Sequence, residues 1–252
     1  MSKLPKGFTD RPFAHRGLHG TAGPENSPAA IRAAVARGYG IEIDIQASAD
    51  NRAIVFHDST LGRLTDAQGL VREKTAGELG AIRLKRGSDM IPTLDTVLRI
   101  IGGQVPLLVE IKDQSGDMGT NRIGPLEFAV ARALKSYEGP VAVMSYNPHA
   151  VEAFREAAPD LPRGLVTEAW PREDWPGVPE SRRDYLRGIP DFLPLGCSFI
   201  SHDAADLHSP RVAELRAGGA TILTWTIRSH EAERAARRIA HAVTFEGYLP
   251  VG

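Results

Sequence analysis

Short β-rich runs alternate with alanine-rich segments along nearly the whole chain, and this alternation constrains the fold more than any other feature. The runs predict nine strands, at residues 12–16, 40–46, 53–58, 106–112, 141–147, 163–167, 198–202, 221–227 and 242–245. The segments between them predict helices at 27–37, 93–101, 126–137, 150–157, 210–217 and 231–239. Strands that alternate with helices favour a parallel sheet covered by helices.

The third predicted strand does not follow this pattern. Only residues 48–52 separate it from the second strand, too few for a crossover helix, so the two should pair as an antiparallel hairpin. Eight strands remain, the number that closes an α/β barrel. We therefore expect a (β/α)8 TIM barrel in a single domain over residues 1–252, with an insertion subdomain at about 47–90. The Pro- and Trp-rich stretch 170–194 is interpreted as a lid, a contact surface or a long surface loop.

Charge and hydropathy exclude several classes of partner. With 30 Lys and Arg against 31 Asp and Glu, the net charge is −1, so no basic excess exists for binding nucleic acid or an anionic membrane surface. No signal-like apolar segment precedes residue 12 and no long apolar run follows, which predicts a cytoplasmic protein without stable membrane insertion. A single cysteine, Cys197, excludes an intramolecular disulfide, and a homo-oligomer is compatible with these features.

Two of the predicted strands carry carboxylates at alternate positions. Glu42 and Asp44 share one face of the second strand, and Glu110 and Lys112 share one face of the next barrel strand. These faces should point into the barrel near its C-terminal mouth, where barrel enzymes have their sites. Clustered carboxylates repel by roughly 4 kcal/mol per pair at about 4 Å. A hard cation, Mg²⁺ or Ca²⁺, would offset this repulsion, and ion pairs with Arg16 and Lys112 are the alternative.

Two histidines end apolar runs beside this predicted acidic mouth. His15 follows the first strand and His57 follows the hairpin strand. Because histidine titrates near neutral pH, one can act as general base and the other as general acid, in either order. The planar guanidinium of Arg16 matches the geometry of two phosphate oxygens. Asp58 either orients the His57 ring or caps the next turn. Together these groups indicate metal-assisted cleavage of a phosphodiester.

In their order and spacing, these residues resemble the signature of the glycerophosphodiester phosphodiesterase family. The motifs are His-Arg-Gly at 15–17, Pro-Glu-Asn at 24–26, Glu-Ile-Asp at 42–44, Phe-His-Asp at 56–58 and Glu-Ile-Lys at 110–112. The resemblance implies a barrel with an insertion after its second strand. It also implies hydrolysis of small-molecule glycerophosphodiesters to sn-glycerol 3-phosphate and an alcohol.

The same resemblance implies a role for each matched residue. His15 and His57 would be the catalytic pair, and Arg16 and Lys112 would contact the phosphate. Glu25 would help to hold the metal or the glycerol. The implied metal ligands are Glu42, Asp44 and Glu110.

The C-terminal third departs from the family pattern. Arg228 stands where the family often has Asn, and Thr-Phe-Glu-Gly-Tyr-Leu-Pro at 244–250 replaces the usual Thr-Asp-x-Pro. Because these positions should lie at the rim, the departures bear on substrate choice more than on the chemistry. Trp225 is expected to pack on the glycerol or the head group, with core packing as the alternative.

Other functions fit the same residues in part. A lysophospholipase D-type activity would need an apolar groove for an acyl chain, for which Trp170, Trp175, Phe192 and Leu193 are candidates. A catalytically silent barrel that only binds phosphodiesters would be expected to lack a histidine or a metal ligand, and all five are present. A glycosidase needs two carboxylates but leaves the histidines without a role.

Overall fold

In a computed structural model that describes residues 3–250, nine strands form one closed sheet. The strands are β1 (Phe13–Ala14), β2 (Gly40–Ala47), β3 (Ala53–Val55), β4 (Leu107–Ile111), β5 (Val141–Ser145), β6 (Arg163–Thr167), β7 (Phe199–Asp203), β8 (Thr221–Ile227) and β9 (Ala242–Phe245). Their spatial order is β1-β9-β8-β7-β6-β5-β4-β2-β3, and β1 also pairs with β2. Without β3 the other eight strands are parallel and close a ring, which confirms the predicted TIM barrel.

Helices connect the barrel strands. They are α1 (Pro28–Ala36), α2 (Ala76–Leu79), α3 (Leu94–Ile101), α4 (Pro125–Leu134), α5 (Pro148–Ala157), α6 (Glu180–Arg187), α7 (Pro210–Ala217) and α8 (His230–Ala236). Six of them match the predicted helices to within a few residues. Helix α6 lies inside the stretch 170–194, for which no helix was predicted. Only Arg183 and Leu186 are buried, so no apolar stripe indicates this helix in the sequence. Within residues 3–250 no helix has the length and apolarity needed to cross a bilayer.

Strand β3 belongs to a segment placed over the barrel mouth. It pairs antiparallel with β2, with Val55 opposite Ile45, as the short 48–52 connection predicts. The residues that follow build a small apolar cluster of their own, comprising Ile54, Phe56, Leu61, Val71, Leu79, Leu84 and Ile91. This cluster fixes the backbone on both sides of His57, so that a residue outside the eight barrel strands reaches the mouth.

The alternation of side chains along the strands separates two apolar layers. Ile41, Ile43 and Ile45 pack outward against the helices together with the odd-numbered residues of β4, as predicted. A second cluster, which includes Phe13, Leu108, Ala142, Phe199 and Leu223, fills the barrel interior. The even-numbered residues of β2 therefore face inward, above this interior cluster.

Candidate active site

A cavity of about 190 Å³ opens at the C-terminal ends of the barrel strands. Eight of the nine predicted site residues line it: His15, Arg16, Glu42, Asp44, His57, Glu110, Lys112 and Trp225. The ninth, Glu25, lies beside the cavity and contacts Arg16. The structure therefore brings together residues that are spread over more than 200 positions of the sequence.

Three buried carboxylates stand side by side in this cavity. Asp44 on β2 is in register with Glu110 on β4, and Glu42 lies one inward position below Asp44. Each offers one oxygen, and these oxygens lie within 4.8 Å of one another. Oxygens that share a Mg²⁺ or Ca²⁺ ion at about 2.0–2.6 Å stand at most about 4–5 Å apart. The all-oxygen donor set and its spacing thus fit a hard divalent cation.

Cationic side chains neutralise part of this cluster. Nζ of Lys112 lies 2.7 Å from Oδ1 of Asp44 and 2.5 Å from Oε1 of Glu110. Burial pushes the pKa of Asp44 upward, but Lys112, a histidine and Arg16 together bring it well below its usual range. Glu42 has no ion pair among residues 3–250, and burial, Asp44 and Glu110 raise its pKa well above the usual value. The ion pairs therefore leave one carboxylate without a cation.

Each of the two histidines is held by a carboxylate at Nδ1. Nδ1 of His57 lies 2.7 Å from Oδ1 of Asp58, so Asp58 orients this ring. Nδ1 of His15 lies 2.9 Å from Oε2 of Glu246. Because a carboxylate only accepts hydrogen bonds, Nδ1 donates in both pairs and Nε2 is free for proton transfer. Burial lowers the pKa of His15 although the bond to Glu246 opposes this, and that bond lowers the pKa of Glu246 to about 2.

Glu246 is a site residue that the sequence did not reveal. It lies 231 positions from His15, in the segment where the chain departs from the family pattern. It follows β9, which pairs with β1, so barrel closure alone places the two residues together. Glu246 does not itself line the cavity, but Arg228, the other departure, does, and its Nη2 lies 3.3 Å from Oε2 of Glu246. The inward alternation of Thr244 and Glu246 was the only available signal.

The backbone of Arg16 is held in an unusual conformation. Its φ is 55°, in the left-handed region that non-glycine residues rarely adopt. The N–H of Arg16 donates to Glu42 at 2.9 Å, and its carbonyl accepts from the N–H of Asn26 at 2.8 Å. Nε lies 3.3 Å from Oδ2 of Asp44 but has no hydrogen-bond partner. The guanidinium thus enters the cavity with an unused donor.

A chain of ion pairs connects Arg16 to His57. Nη1 of Arg16 donates to Oε1 of Glu25 at 2.7 Å, and the same carboxylate accepts two bonds of 2.8 Å from Arg63. Arg63 in turn donates from Nε to Asp58 at 2.6 Å. Glu25 therefore acts on the cavity through Arg16, without lining it. The link by Arg63, in the inserted segment, was not predicted.

Asn26 supports the acidic cluster from behind. Ser27, the next residue, caps α1 by accepting the N–H of Ala30 at 3.1 Å. The side chain of Asn26 instead donates to Oδ2 of Asp44 at 2.8 Å and accepts the N–H of Asp44 at 3.3 Å. Asn26 therefore fixes the orientation of the Asp44 carboxylate.

The four apolar residues considered for an acyl groove do not line a common surface. Trp170 and Phe192 are buried in two different clusters, and Trp175 packs against Trp170 with ring centroids 4.6 Å apart. Leu193 is 69% exposed, whereas its neighbour Phe192 is buried. These side chains therefore offer no continuous groove for a lipid tail.

Comparison with known proteins agrees with this geometry. The profile of the glycerophosphoryl diester phosphodiesterase family matches residues 15–246. The chain belongs to this family. It is therefore a phosphoric diester hydrolase by class. A glycerophosphodiester phosphodiesterase of Caldanaerobacter subterraneus is 33% identical over 173 residues, which cover 65% of this chain and 69% of that protein. The Bacillus subtilis protein YhdW is 27% identical over 230 residues, which cover 87% and 86% of the two chains.

Solved structures share the same barrel. A phosphodiesterase of Oleispira antarctica, solved with its product sn-glycerol 3-phosphate, superposes with a TM-score of 0.77 at 24% identity, covering 96% of this chain and 93% of that one. A glycerophosphodiester phosphodiesterase of Thermotoga maritima gives a TM-score of 0.70 at 19% identity, covering 92% of each chain. At these identities the likeness is one of fold.

Proposed function

We propose that this chain hydrolyses glycerophosphodiesters to sn-glycerol 3-phosphate and an alcohol. The observation that carries the proposal is the convergence, on one cavity, of two carboxylate-held histidines, an acidic cluster and two cationic side chains. Membership of the family supports the substrate class, and the product bound in the Oleispira relative is the one expected here.

Within this proposal Glu42, Asp44 and Glu110 hold Mg²⁺ or Ca²⁺. When bound, the cation supplies Lewis-acid stabilisation of charge on the phosphoryl oxygens. Burial would lower the pKa of Lys112, but Asp44 and Glu110 raise it above its ordinary value, so this ammonium stays charged and can contact the phosphate. Arg16, which also lines the cavity, adds its guanidinium on the same side. The carboxylates thus carry both a cation site and the orientation of the phosphate-binding side chains.

The histidines divide the proton transfers between them. Nε2 of one takes the proton from the attacking hydroxyl, of water or of the substrate's own glycerol. In the second case the cyclic phosphate that forms is then opened by water to give sn-glycerol 3-phosphate. Nε2 of the other donates a proton to the departing alkoxide. Asp58 and Glu246 keep each ring in the tautomer that leaves Nε2 available, and they stabilise the imidazolium when it forms. Trp225 lies on the opposite wall, where the glycerol or the head group would rest.

The decisive experiment is an assay of the purified protein on a panel of glycerophosphodiesters and lysophospholipids. A coupled glycerol 3-phosphate dehydrogenase reaction detects the product of the diesters, and release of choline detects turnover of lysophosphatidylcholine. A variant with both His15→Ala and His57→Ala measures contaminating activity. We expect turnover of the diesters and none above background in the variant. Turnover of lysophospholipids alone would indicate a lysophospholipase D. Binding of diesters without turnover would indicate a silent barrel.

A further inference from the structure

One wall of the cavity is aromatic. It is built by β5 to β8, whose inward residues Met144, Val166 and Ser201 line the cavity. The next inward positions on the four strands are Tyr146, Glu168, Asp203 and, in register with Asp203, Trp225. Trp175, from the loop before α6, packs on Tyr146. Of these residues, Tyr146 and Trp225 line the cavity itself, and Glu168, Trp175 and Asp203 lie beside them. We call all five the aromatic face: Tyr146, Glu168, Trp175, Asp203 and Trp225.

Two rings of the aromatic face, those of Tyr146 and Trp175, hold a buried carboxylate. The Tyr146 ring lies 4.9 Å from that of Trp175 and 6.0 Å from that of Trp225, centroid to centroid. The Tyr146 hydroxyl donates to Oε2 of Glu168 at 3.1 Å, and the Trp175 indole N–H donates to Oε1 of the same residue. Donation to an anion makes both rings richer in electrons, and the faces of such rings attract cations.

The negative charge of this face has no cationic partner. Glu168 is 8% exposed and forms no ion pair with Lys, Arg or His anywhere in residues 3–250. The charges that act on it most strongly are those of Asp203 and Asp174, both acidic. Burial raises the pKa of Glu168, since desolvation penalises the carboxylate. A buried carboxylate of this kind is stabilised by a cation brought by a ligand.

A further polar group of the same cavity also lacks a partner. The hydroxyl of Ser201 is fully buried, lines the cavity and makes no hydrogen bond to described residues. Arg228, the arginine at this rim, is turned toward Glu246 on the other side. Among residues 3–250 this wall therefore offers the rings of Tyr146 and Trp225, with the buried Glu168 carboxylate bonded to Tyr146 beside them, and its one cation, Arg228, is paired with Glu246.

We propose that the aromatic face selects diesters whose alcohol carries a quaternary ammonium group, with Glu168 as the specificity-determining residue. The inference rests on the proposed hydrolysis of glycerophosphodiesters. A quaternary ammonium has no N–H to donate, so aromatic faces and a nearby buried charge are the contacts that suit it. Anchored on Arg16 and Lys112, the phosphate would direct its leaving alcohol across the cavity toward Trp225 and Tyr146.

A matched substrate pair tests this. Glycerophosphocholine is compared with its 3,3-dimethylbutyl analogue, which has the same shape but carbon in place of the ammonium nitrogen. We expect the wild type to favour the choline diester by on the order of tenfold in kcat/KM. In Glu168→Gln this ratio should fall toward one, because the hydrogen-bonding shape remains and the charge is lost. The control Glu127→Gln, which alters a buried carboxylate on α4, should keep the wild-type ratio.

The outcomes separate the two proposals. Equal kcat/KM for the two substrates in the wild type overturns the inference and leaves phosphodiester hydrolysis intact. A wild-type preference that persists in Glu168→Gln removes Glu168 as its cause. Absence of turnover for both substrates contradicts the proposed function itself. If Glu168→Gln does not fold, Asp203→Asn provides the second variant, and a smaller decrease of the same ratio is expected.

Discussion

The two sides of the cavity are built on different strands of one barrel and use opposite chemistry. We call the side formed by β9, β1, β2 and β4 the charged face: His15, Arg16, Glu42, Asp44, His57, Glu110 and Lys112. Nearly every charge there is paired, through contacts of 2.5–3.3 Å. The aromatic face has a buried carboxylate, Glu168, that forms no ion pair with any residue in the described range 3–250. The ion pairs hold the side chains of the charged face in fixed positions. On the aromatic face, the rings and the unpaired Glu168 carboxylate remain available to a ligand.

This difference between the two faces matches the role that is proposed for each of them. Groups that stabilise a transition state work best when they are already oriented, because no reorganisation is then needed during the reaction. The charged face is oriented by its own ion pairs and by Asn26 and Glu246 behind them. The aromatic face lies where the variable alcohol of the substrate would rest. We expect changes on the charged face to lower kcat and changes on the aromatic face to alter selectivity.

Removal of the cation should have the largest effect. We expect EDTA to reduce hydrolysis to background, and Mg²⁺ or Ca²⁺ to restore it, because the cation would supply Lewis-acid stabilisation of charge on the phosphoryl oxygens. The same ions should raise Tm by mass action on the folded state. That shift should be lost in Asp44→Asn and kept in Asp203→Asn on the aromatic face. Full activity after rigorous chelation would end the metal assignment.

The histidines should come next. His15→Ala and His57→Ala should each lower kcat at least about 100-fold, since general acid-base groups contribute that much. The double variant should lose little more than the worse single one, because the two act as a unit. His202→Gln, which alters a buried histidine of β7, is the matched control and should stay near wild type. Near-normal turnover in either single variant would exclude that histidine from the mechanism.

Arg16→Lys tests whether the Arg16 guanidinium binds the phosphate or only forms an ion pair with Asp44. Lysine keeps the charge but not the planar fork. If Arg16 binds developing charge, kcat and kcat/KM should both fall by about tenfold with Tm unchanged. The control is Arg163→Lys, which alters a buried arginine of β6. Wild-type kinetics in Arg16→Lys would assign this residue to ion pairing alone.

Glu246→Gln should have the smallest effect and resolves the roles of the histidines. We expect about a tenfold loss in kcat, because the partner that orients His15 is weakened. The Glu246 carboxylate raises the pKa of His15, so its loss lowers that pKa. The limb of the pH–rate profile governed by His15 should then move to lower pH. Movement of the acid limb identifies His15 as the base, and movement of the alkaline limb identifies it as the acid.

The control for this experiment is again Glu127→Gln, which should leave the profile in place. An unchanged profile in Glu246→Gln, with unchanged kcat, would show that the 2.9 Å contact with His15 has no catalytic consequence.

Much of the barrel was predictable because its signals are local. The alternation of Glu42 and Asp44 with Ile41 and Ile43 determines which face of β2 points inward, whatever the rest of the chain does. The short connection at 48–52 forces the hairpin in the same way. Weak local signals failed, as in α6, where a polar helix carries no apolar stripe.

The contacts that form when the barrel closes are determined by the tertiary structure alone. Pairing of β1 with β9 brings Glu246 to His15 across 231 positions, and no periodicity in either segment encodes that contact. The meeting of Tyr146, Glu168 and Trp175 likewise depends on where loops from neighbouring strands end. Strand alternation and helix capping act within a few residues, so sequence can specify them. The partners of a side chain at the mouth come from strands far apart in the chain, and only the closed ring sets their distance.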